Sequence, residues 1–173
     1  SKQASTGFIY KKKDLFINLT GFYKVVDNIN TANQGLQNQF QYTDAIGSYK
    51  ARGMEFLANQ KSGNLSSWLS YLYSKNTYIF KTLNPSNFPS NLEMRHSATL
   101  ASSYSFQDLK IAFGVSWHSG KPYSIPVNDN EIITQGGISS VNYDMPHAER
   151  LPDYFRADLS AEYLWRLSSS IDA

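Results

Sequence analysis

The sequence predicts an all-β fold: an antiparallel transmembrane β-barrel, to which this chain contributes an incomplete set of about seven strands. Three observations lead to that class. Seven segments alternate apolar and polar side chains, which is the period of a β-strand. Short and long connections alternate between these segments. The composition is rich in aromatic residues (14%) and poor in charged residues (17%), which favours strands over helices.

The seven predicted strands lie where the alternation is clearest. Their ranges are 7–11, 14–26, 49–60, 65–76, 95–106, 109–117 and 154–166. In the sixth strand, Leu109, Phe113 and Trp117 fall on one side, whereas Lys110 and His118 fall on the other. We therefore expect the strands to have one apolar and one polar face.

Each of the other long strands has its own apolar set. These sets are Leu15, Ile17, Leu19, Tyr23 and Val25 in the second strand, Met54, Phe56 and Ala58 in the third, Leu65, Leu69, Tyr71 and Tyr73 in the fourth, Ala98, Leu100, Tyr104 and Phe106 in the fifth, and Phe155, Ala157, Leu159, Ala161, Tyr163 and Trp165 in the seventh. Four large apolar residues depart from the pattern by falling on the polar side: Phe16, Phe22, Trp68 and Leu72.

The connections between the strands fall into two classes. Tight ones are predicted at 12–14, 61–64 and 107–108, and long ones at 27–48, 77–94 and 123–153. Because the two classes alternate, all the long connections lie at one end of the sheet. Transmembrane β-barrels have this asymmetry, with short periplasmic turns and long extracellular loops. Strands of about 10 to 13 residues are also long enough to cross an apolar band of about 25 Å.

Aromatic residues gather near both ends of the apolar face, as they do at the two interfaces of a membrane. Those near the long-loop end are Tyr23, Tyr71, Tyr73, Trp117 and Phe155, and those near the short-turn end are Phe106, Tyr163 and Trp165. The polar face carries the charges Glu55, Arg95, Arg156, Asp158 and Glu162. Since charged groups are strongly unfavourable in lipid, we expect the apolar face to contact lipid and the polar face to line the barrel interior.

Composition excludes several other classes of protein. The chain has 173 residues, no cysteine and a net charge of +2, so disulfides are excluded and nothing favours a nucleic-acid partner. No run of 18 apolar residues predicts a membrane-spanning helix. The first residues lack the features of a signal peptide, and bacterial barrels have an even number of strands. We therefore expect this chain to be a piece of a larger barrel.

Four segments, in this order, resemble part of the β-barrel of TonB-dependent outer-membrane receptors. They are YKARGMEFLANQKSGNLSSWLSYLYSKN at 49–76, MRHSATLASSYSF at 94–106, GVSWHSGKPYSIP at 114–126 and RLPDYFRADLSAEYLWRL at 150–167. The Ser-Gly-Lys-Pro-Tyr and Leu-Pro-Asp-Tyr-x-Arg-x-Asp elements are similar to those of receptors from Bacteroidetes-type bacteria. The resemblance covers most of the chain.

This resemblance implies a 22-stranded barrel with an N-terminal plug. Residues 1–173 would form a C-terminal portion of the barrel domain, and the plug and the final strands would lie outside them. The implied function is active transport of a bulky nutrient across the bacterial outer membrane, energised by TonB, with no catalysis and no cofactor. The implied partners are outer-membrane lipid, TonB through the missing N-terminal part, and a nutrient ligand; a surface lipoprotein partner is left open, and nucleic acid is not expected.

Aromatic residues in the long loops are candidates for contact with the ligand. They are Phe40, Tyr42, Phe88, Tyr123 and Tyr143, and they lie among Asn, Gln and Ser residues. Such mixtures bind sugars or peptides, but they also simply cover loops, and both interpretations stay open. The motifs mark barrel architecture, so the resemblance assigns no ligand-binding residue.

No catalytic or metal site is predicted. His96, His118 and His147 are far apart in the sequence and lack the close spacing of metal motifs. Any Ser–His–Asp triad drawn from the many serines would be arbitrary. Arg156 and Asp158 fall on one face, and we interpret them as part of a network of luminal charges rather than as a substrate path.

Two alternatives to active transport stay open. The first is a passive outer-membrane porin or adhesin barrel, which would lack a plug and a TonB-contacting segment. The second is a secreted carbohydrate-binding β-sandwich, which would remain in solution without detergent.

Overall fold

The computed structural model describes residues 1–31, 44–128, 131–135, 137–168 and 171–172. These residues form fourteen strands, and no helix among them is long and apolar enough to cross a membrane. The strands are β1 (Lys2–Lys12), β2 (Leu15–Asn30), β3 (Ile46–Ser62), β4 (Leu65–Ile79), β5 (Asn87–Pro89), β6 (His96–Phe106), β7 (Leu109–His118), β8 (Pro122–Tyr123), β9 (Ile132–Gln135), β10 (Ile138–Val141), β11 (Glu149–Arg150), β12 (Tyr154–Tyr163), β13 (Arg166–Ser168) and β14 (Ile171–Asp172).

Seven strands form the path of the main sheet, in the order β1-β2-β3-β4-β6-β7-β12, and the short β5 pairs with the end of β4. Every neighbouring pair is antiparallel, which confirms the predicted seven-stranded antiparallel sheet. The sheet does not close, because β1 and β12 are its edges. The other sheets of the described residues have two strands each, so none of them could form the second layer of a β-sandwich.

The first and last strands of this path differ in length from the prediction. Strand β1 begins at Lys2 rather than at 7, because residues 2–6 pair in register with residues 21–25 although they include no large apolar side chain. Backbone N–H and C=O groups make that pairing, and a hydrophobicity pattern does not report on them. Strand β12 ends at Tyr163 rather than at 166, and the following β13 pairs with β14 instead of continuing the sheet.

The three tight turns lie where they were predicted. Each begins with a residue of positive φ, which is 48° at Lys13, 55° at Gly63 and 53° at Gln107. Two-residue hairpins need this conformation because the turn must match the right-handed twist of its strands. Glycine adopts it without strain, whereas Lys13 and Gln107 adopt it at some cost in energy.

The register places the predicted apolar sets of the long strands on a single face of the sheet. Phe155, Trp117, Ala98 and Tyr71, for example, are successive partners across β12, β7, β6 and β4. We name this the outward face and the opposite one the inward face. The four residues that departed from the pattern, Phe16, Phe22, Trp68 and Leu72, lie on the inward face together with the charged ones.

The long connections contain strands of their own. The first is shorter than predicted, because β2 and β3 continue until Asn30 pairs with Ile46. Strand β5 lies within the second connection, and strands β8 to β11 lie within the third. Backbone pairing therefore extends well beyond the part of the sheet that carries the apolar face.

Candidate functional site

The outward face is built for an apolar environment. We consider the part of each strand in the path that lies nearest its short turn, up to eight residues from the turn. The outward positions of this part carry no charged side chain apart from Lys12, the last residue of β1. Leu159 is 77% exposed and Phe113 is 43% exposed, so the described chain leaves both largely uncovered. The hydroxyl oxygens of Ser67 and Ser102 lie 2.7 Å apart, which satisfies two polar groups within the apolar band. This surface suits lipid rather than water.

An aromatic belt ends the apolar band at the long-loop end. Tyr23, Tyr73, Trp117 and Phe155 each lie eight residues from the short-turn end of their strands. At roughly 3.3 Å per residue and a tilt of about 45°, eight residues cover about 19 Å of membrane depth. The ring of His96 lies 5.3 Å from that of Tyr73 and 6.3 Å from that of Trp117, measured between centroids. The belt therefore continues from β4 to β7 through His96.

The inward face is polar and carries a shallow concavity of about 390 Å³. Seven of its nine lining residues point inward, and the full set is Asn18, Glu55, Phe56, Leu57, Ser70, Tyr71, Leu72, Ser97 and Thr99. On the same face, Arg156 and Asp158 form an exposed ion pair at 2.8 Å, and their part in a wider network of luminal charges stays a prediction. A wall of hydroxyl, amide and charged groups suits a water-filled or plugged interior.

A small hydrophobic core holds the second long connection against the ends of β3 and β4. Phe80 is fully buried, and its ring stacks on that of Phe88 at 6.0 Å between centroids. Tyr78 contacts both rings, and Ala45 and Leu83 complete the cluster. We name this cluster the loop core. It gives the connection a fixed shape at the base of the loops.

A buried carboxylate links this connection to the third one. Glu93 is completely buried, and its Oε1 accepts hydrogen bonds from the guanidinium groups of Arg95, at 2.9 Å, and Arg150. Its Oε2 accepts a hydrogen bond from the backbone N–H of Asn76 at 2.7 Å. A buried charge is tolerated only when it is paired and hydrogen-bonded in this way. Glu93 therefore joins β4, the second connection and β11 at one point.

Two of the quoted sequence elements meet in the structure. The backbone N–H of Gly120, in Ser-Gly-Lys-Pro-Tyr, donates to Oδ1 of Asp153, in Leu-Pro-Asp-Tyr, at 3.1 Å. The other oxygen, Oδ2, accepts from the indole N–H of Trp117 at 3.2 Å, and Arg150 donates to the carbonyl of Gly120 at 3.0 Å. A Cβ on residue 120 would lie 1.5 Å from the carbonyl oxygen of Leu151, so this close approach requires glycine. We name these contacts the clasp.

His147, like Glu93, links the second long connection to the third. It is buried, its Nδ1–H donates to the carbonyl of Pro89 at 2.6 Å, and its ring lies edge-on to that of Phe88. The backbone N–H of His147 donates to the hydroxyl of Ser124 at 3.0 Å. Burial lowers the pKa of the imidazole below its ordinary value, although the bond to Pro89 opposes the shift. The neutral ring therefore fits this position best at neutral pH.

The predicted ligand-contact residues have different surroundings. Phe40 and Tyr42 lie outside the described residues. Phe88 is buried in the loop core, a placement that favours packing over ligand contact. Tyr123 is 39% exposed and pairs through its backbone with Glu149, and Tyr143 is half-buried and bridges to Pro126. Their ligand contact stays a prediction.

Sequence reasoning did not identify Glu93, Arg150 or Asp153 as the residues that organise the loops. The only sequence signal was that Arg150 and Asp153 lie in one quoted family segment and Gly120 lies in another. The three histidines lie in separate places: His96 faces outward, His118 stacks on Tyr154 at 5.0 Å, and His147 is in the loops. Among the described residues, no group of three or more His, Asp or Glu side chains could hold a metal ion.

An open antiparallel sheet with a lipid-compatible face, a polar face and all its long loops at one end is typical of transmembrane β-barrel proteins. The chain is part of the wall of a transmembrane β-barrel.

The chain belongs to the TonB-dependent receptor family, because the family model described as "TonB dependent receptor-like, beta-barrel" matches residues 1–172. This is an outer-membrane family of Gram-negative bacteria and not a class of enzymes. Among solved structures, the FrpB iron transporter from Neisseria meningitidis (F3-3 variant) has a similar fold, with a TM-score of 0.61, 18% identity and 95% of this chain covered. The chain spans 24% of that protein's length. No curated protein matches the sequence.

Proposed function

We propose that this chain is part of the barrel wall and loops of an outer-membrane transporter that imports a bulky nutrient with energy supplied through TonB. Residues 1–173 are a C-terminal portion of the barrel domain. The plug and the TonB-contacting segment belong to an N-terminal part, and the final strands follow this chain. A surface lipoprotein that covers the long loops is a further proposed partner.

The observation that carries the proposal is the construction of the long-loop end. The loop core, Glu93 and the clasp hold two connections in a defined shape above a polar wall. Both a passive pore and a transporter need a polar wall, but capture of a ligand before transport also requires a shaped surface, which fixed loops provide. Family membership supports the same function.

The direct test is uptake of labelled nutrient by whole cells that carry the intact receptor. Removing TonB or dissipating the proton gradient should abolish uptake and leave ligand binding at the cell surface largely intact. Strains that lack the receptor give the background of both measurements. If uptake continues undiminished without TonB, the passive porin is the correct function.

A second experiment locates ligand capture in the third connection. Val127 and Asn142 are joined by a backbone hydrogen bond of 2.8 Å, so residues 128–141 can be replaced by a two-residue Gly-Asn linker that leaves the clasp and His147 in place. We expect the barrel to assemble and ligand binding to weaken. Two further variants, Tyr123→Ala and Tyr143→Ala, test the predicted contact residues singly. Unchanged binding in all three variants would place capture in another loop.

A further inference from the structure

A group of cations lies on the outward face directly beyond the aromatic belt. Lys2, Arg52 and Lys75 each lie ten residues from the short-turn end of their strands, two residues beyond the belt, and Lys50 lies two residues further on β3. All four side chains are exposed. We name them the cationic patch. At about 3.3 Å per residue and about 45° of tilt, ten residues reach about 23 Å, close to the edge of the apolar band.

The register brings these cations together across three strand boundaries. Arg52 and Lys75 are direct partners on β3 and β4, and Lys2 and Lys50 both pair with Val25, from opposite sides of β2. Like charges directly opposite each other destabilise a sheet unless an anion compensates them. An arrangement of this kind therefore calls for a counter-charge.

No carboxylate of the described residues supplies that counter-charge. The ion pairs of the described chain involve Glu93 and Asp158, and none of them includes a member of the cationic patch. Asp27 faces outward nearby on β2, where it pairs with Ser48, yet it forms no ion pair with the patch. The described residues therefore leave the cationic patch without a compensating anion.

We propose that the cationic patch binds the phosphate groups of a phosphorylated lipid in the outer leaflet. The patch adjoins a surface that already faces lipid, and Tyr23, the register partner of Arg52, is 46% exposed on the same face. Clustered Lys and Arg residues at the edge of the apolar band recognise anionic headgroups. The choice of the outer leaflet rests on the proposed function, in which the long loops capture ligand at the cell surface, but the binding of lipid does not depend on TonB or on the nutrient.

The test measures binding of diphosphorylated lipid A to the intact receptor purified in a neutral detergent. We compare the natural receptor with the double variant Arg52→Gln, Lys75→Gln and with the control Lys24→Gln, which removes an inward-facing lysine of β2. The double variant should bind about 30-fold more weakly, the loss expected from two cations near a charged lipid surface. The control should bind normally, and added salt should weaken binding to the natural receptor.

A second ligand and a folding measurement keep the result specific. The same glycolipid without its phosphates should bind all three proteins equally, and the heat-dependent shift in gel mobility reports whether each barrel is folded. Equal binding of diphosphorylated lipid A by the natural receptor and the folded double variant would overturn the proposal. So would an equal loss of binding in the Lys24→Gln control. Neither outcome would affect the proposed transport, which is measured by uptake.

Discussion

The region formed by β2, β3 and β4 differs from the region formed by β6, β7 and β12 in how it continues beyond the membrane. The first three strands have 16, 17 and 15 residues, and the other three have 11, 10 and 10. The long strands extend past the aromatic belt, and backbone hydrogen bonds between them support the part of the sheet beyond the membrane. The short strands end near the belt, and side chains hold the segments beyond them. Asp153 accepts a hydrogen bond from the N–H of Gly120, just after β7, and Glu93 and His147 tie the adjoining loops to the backbone of Asn76 in β4 and Pro89 in β5.

The comparison teaches that two kinds of structure support the loops. Paired backbone is regular and tolerates substitution of most side chains, because its hydrogen bonds do not depend on them. A network of buried polar side chains depends on each member. We therefore expect the second region to respond to single substitutions at its loop base, and the first region to respond mainly to changes on its lipid face.

The largest effect is expected at Glu93, where the two regions join. Glu93→Gln leaves two guanidinium groups without their charge partner. The loss should be somewhat below the roughly 3–5 kcal/mol of a fully buried pair, because the side chains of Arg95 and Arg150 are 37% and 28% exposed and water compensates part of it. We expect faster amide hydrogen exchange in 80–95 and 147–153, with the barrel still folded. The matched control is Asp158→Asn, which breaks an ion pair that is exposed to solvent and should therefore cost little stability. Similar exchange in both variants would contradict the central role of Glu93.

The next effect distinguishes the two faces of a single strand. Phe113→Arg places a charge on the outward face near the middle of β7, at an expected cost of about 2–4 kcal/mol in barrel assembly. Ala112→Arg, one residue away, faces inward and should be much milder. The fraction of folded barrel in outer-membrane extracts measures both. Equal effects at 112 and 113 would contradict the assignment of the faces, and Leu19→Arg with Asn18→Arg repeats the test on β2.

A smaller effect is expected at the clasp. Trp117→Phe keeps an aromatic ring in the belt but removes the indole N–H that donates to Asp153, at a cost of about 1 kcal/mol. We expect exchange to accelerate in 149–153 and to stay unchanged in β2–β3. If Trp117→Phe instead lowers the amount of folded barrel, the ring rather than its hydrogen bond is what the position requires.

The smallest effect concerns the dependence of the loops on pH. Burial lowers the pKa of His147 in the folded loops below 6.5, its ordinary value, so the unfolded loop binds a proton more readily than the folded one. The stabilisation is therefore complete above pH 6.5 and is lost as the pH falls through the lowered pKa. Amide exchange in 86–93, corrected for its intrinsic dependence on pH, should be faster at pH 5 than at pH 7.5. The same ratio in His147→Gln would contradict this origin.

The wall of the barrel could be predicted from the sequence, whereas the organisation of its loops could not. Alternation along Leu109–His118 reports directly on which side chains share a face, and the register then aligns these faces across the sheet. Glu93 and Arg150 come together from positions 57 residues apart, and no local pattern reports such a distance. The start of β1 was missed for a related reason, because Lys2 to Thr6 join the sheet through their backbone alone.

The strand order has a consequence for assembly. Strands β1–β2, β3–β4 and β6–β7 are each joined by a two-residue turn, so each pair can form as a hairpin on its own before the sheet exists. The pairs then join along the boundaries that the long connections span. Lengthening such a connection twofold adds only about 0.6 kcal/mol of closure entropy. The hairpins can therefore form first and join afterwards, whatever the lengths of the long connections between them.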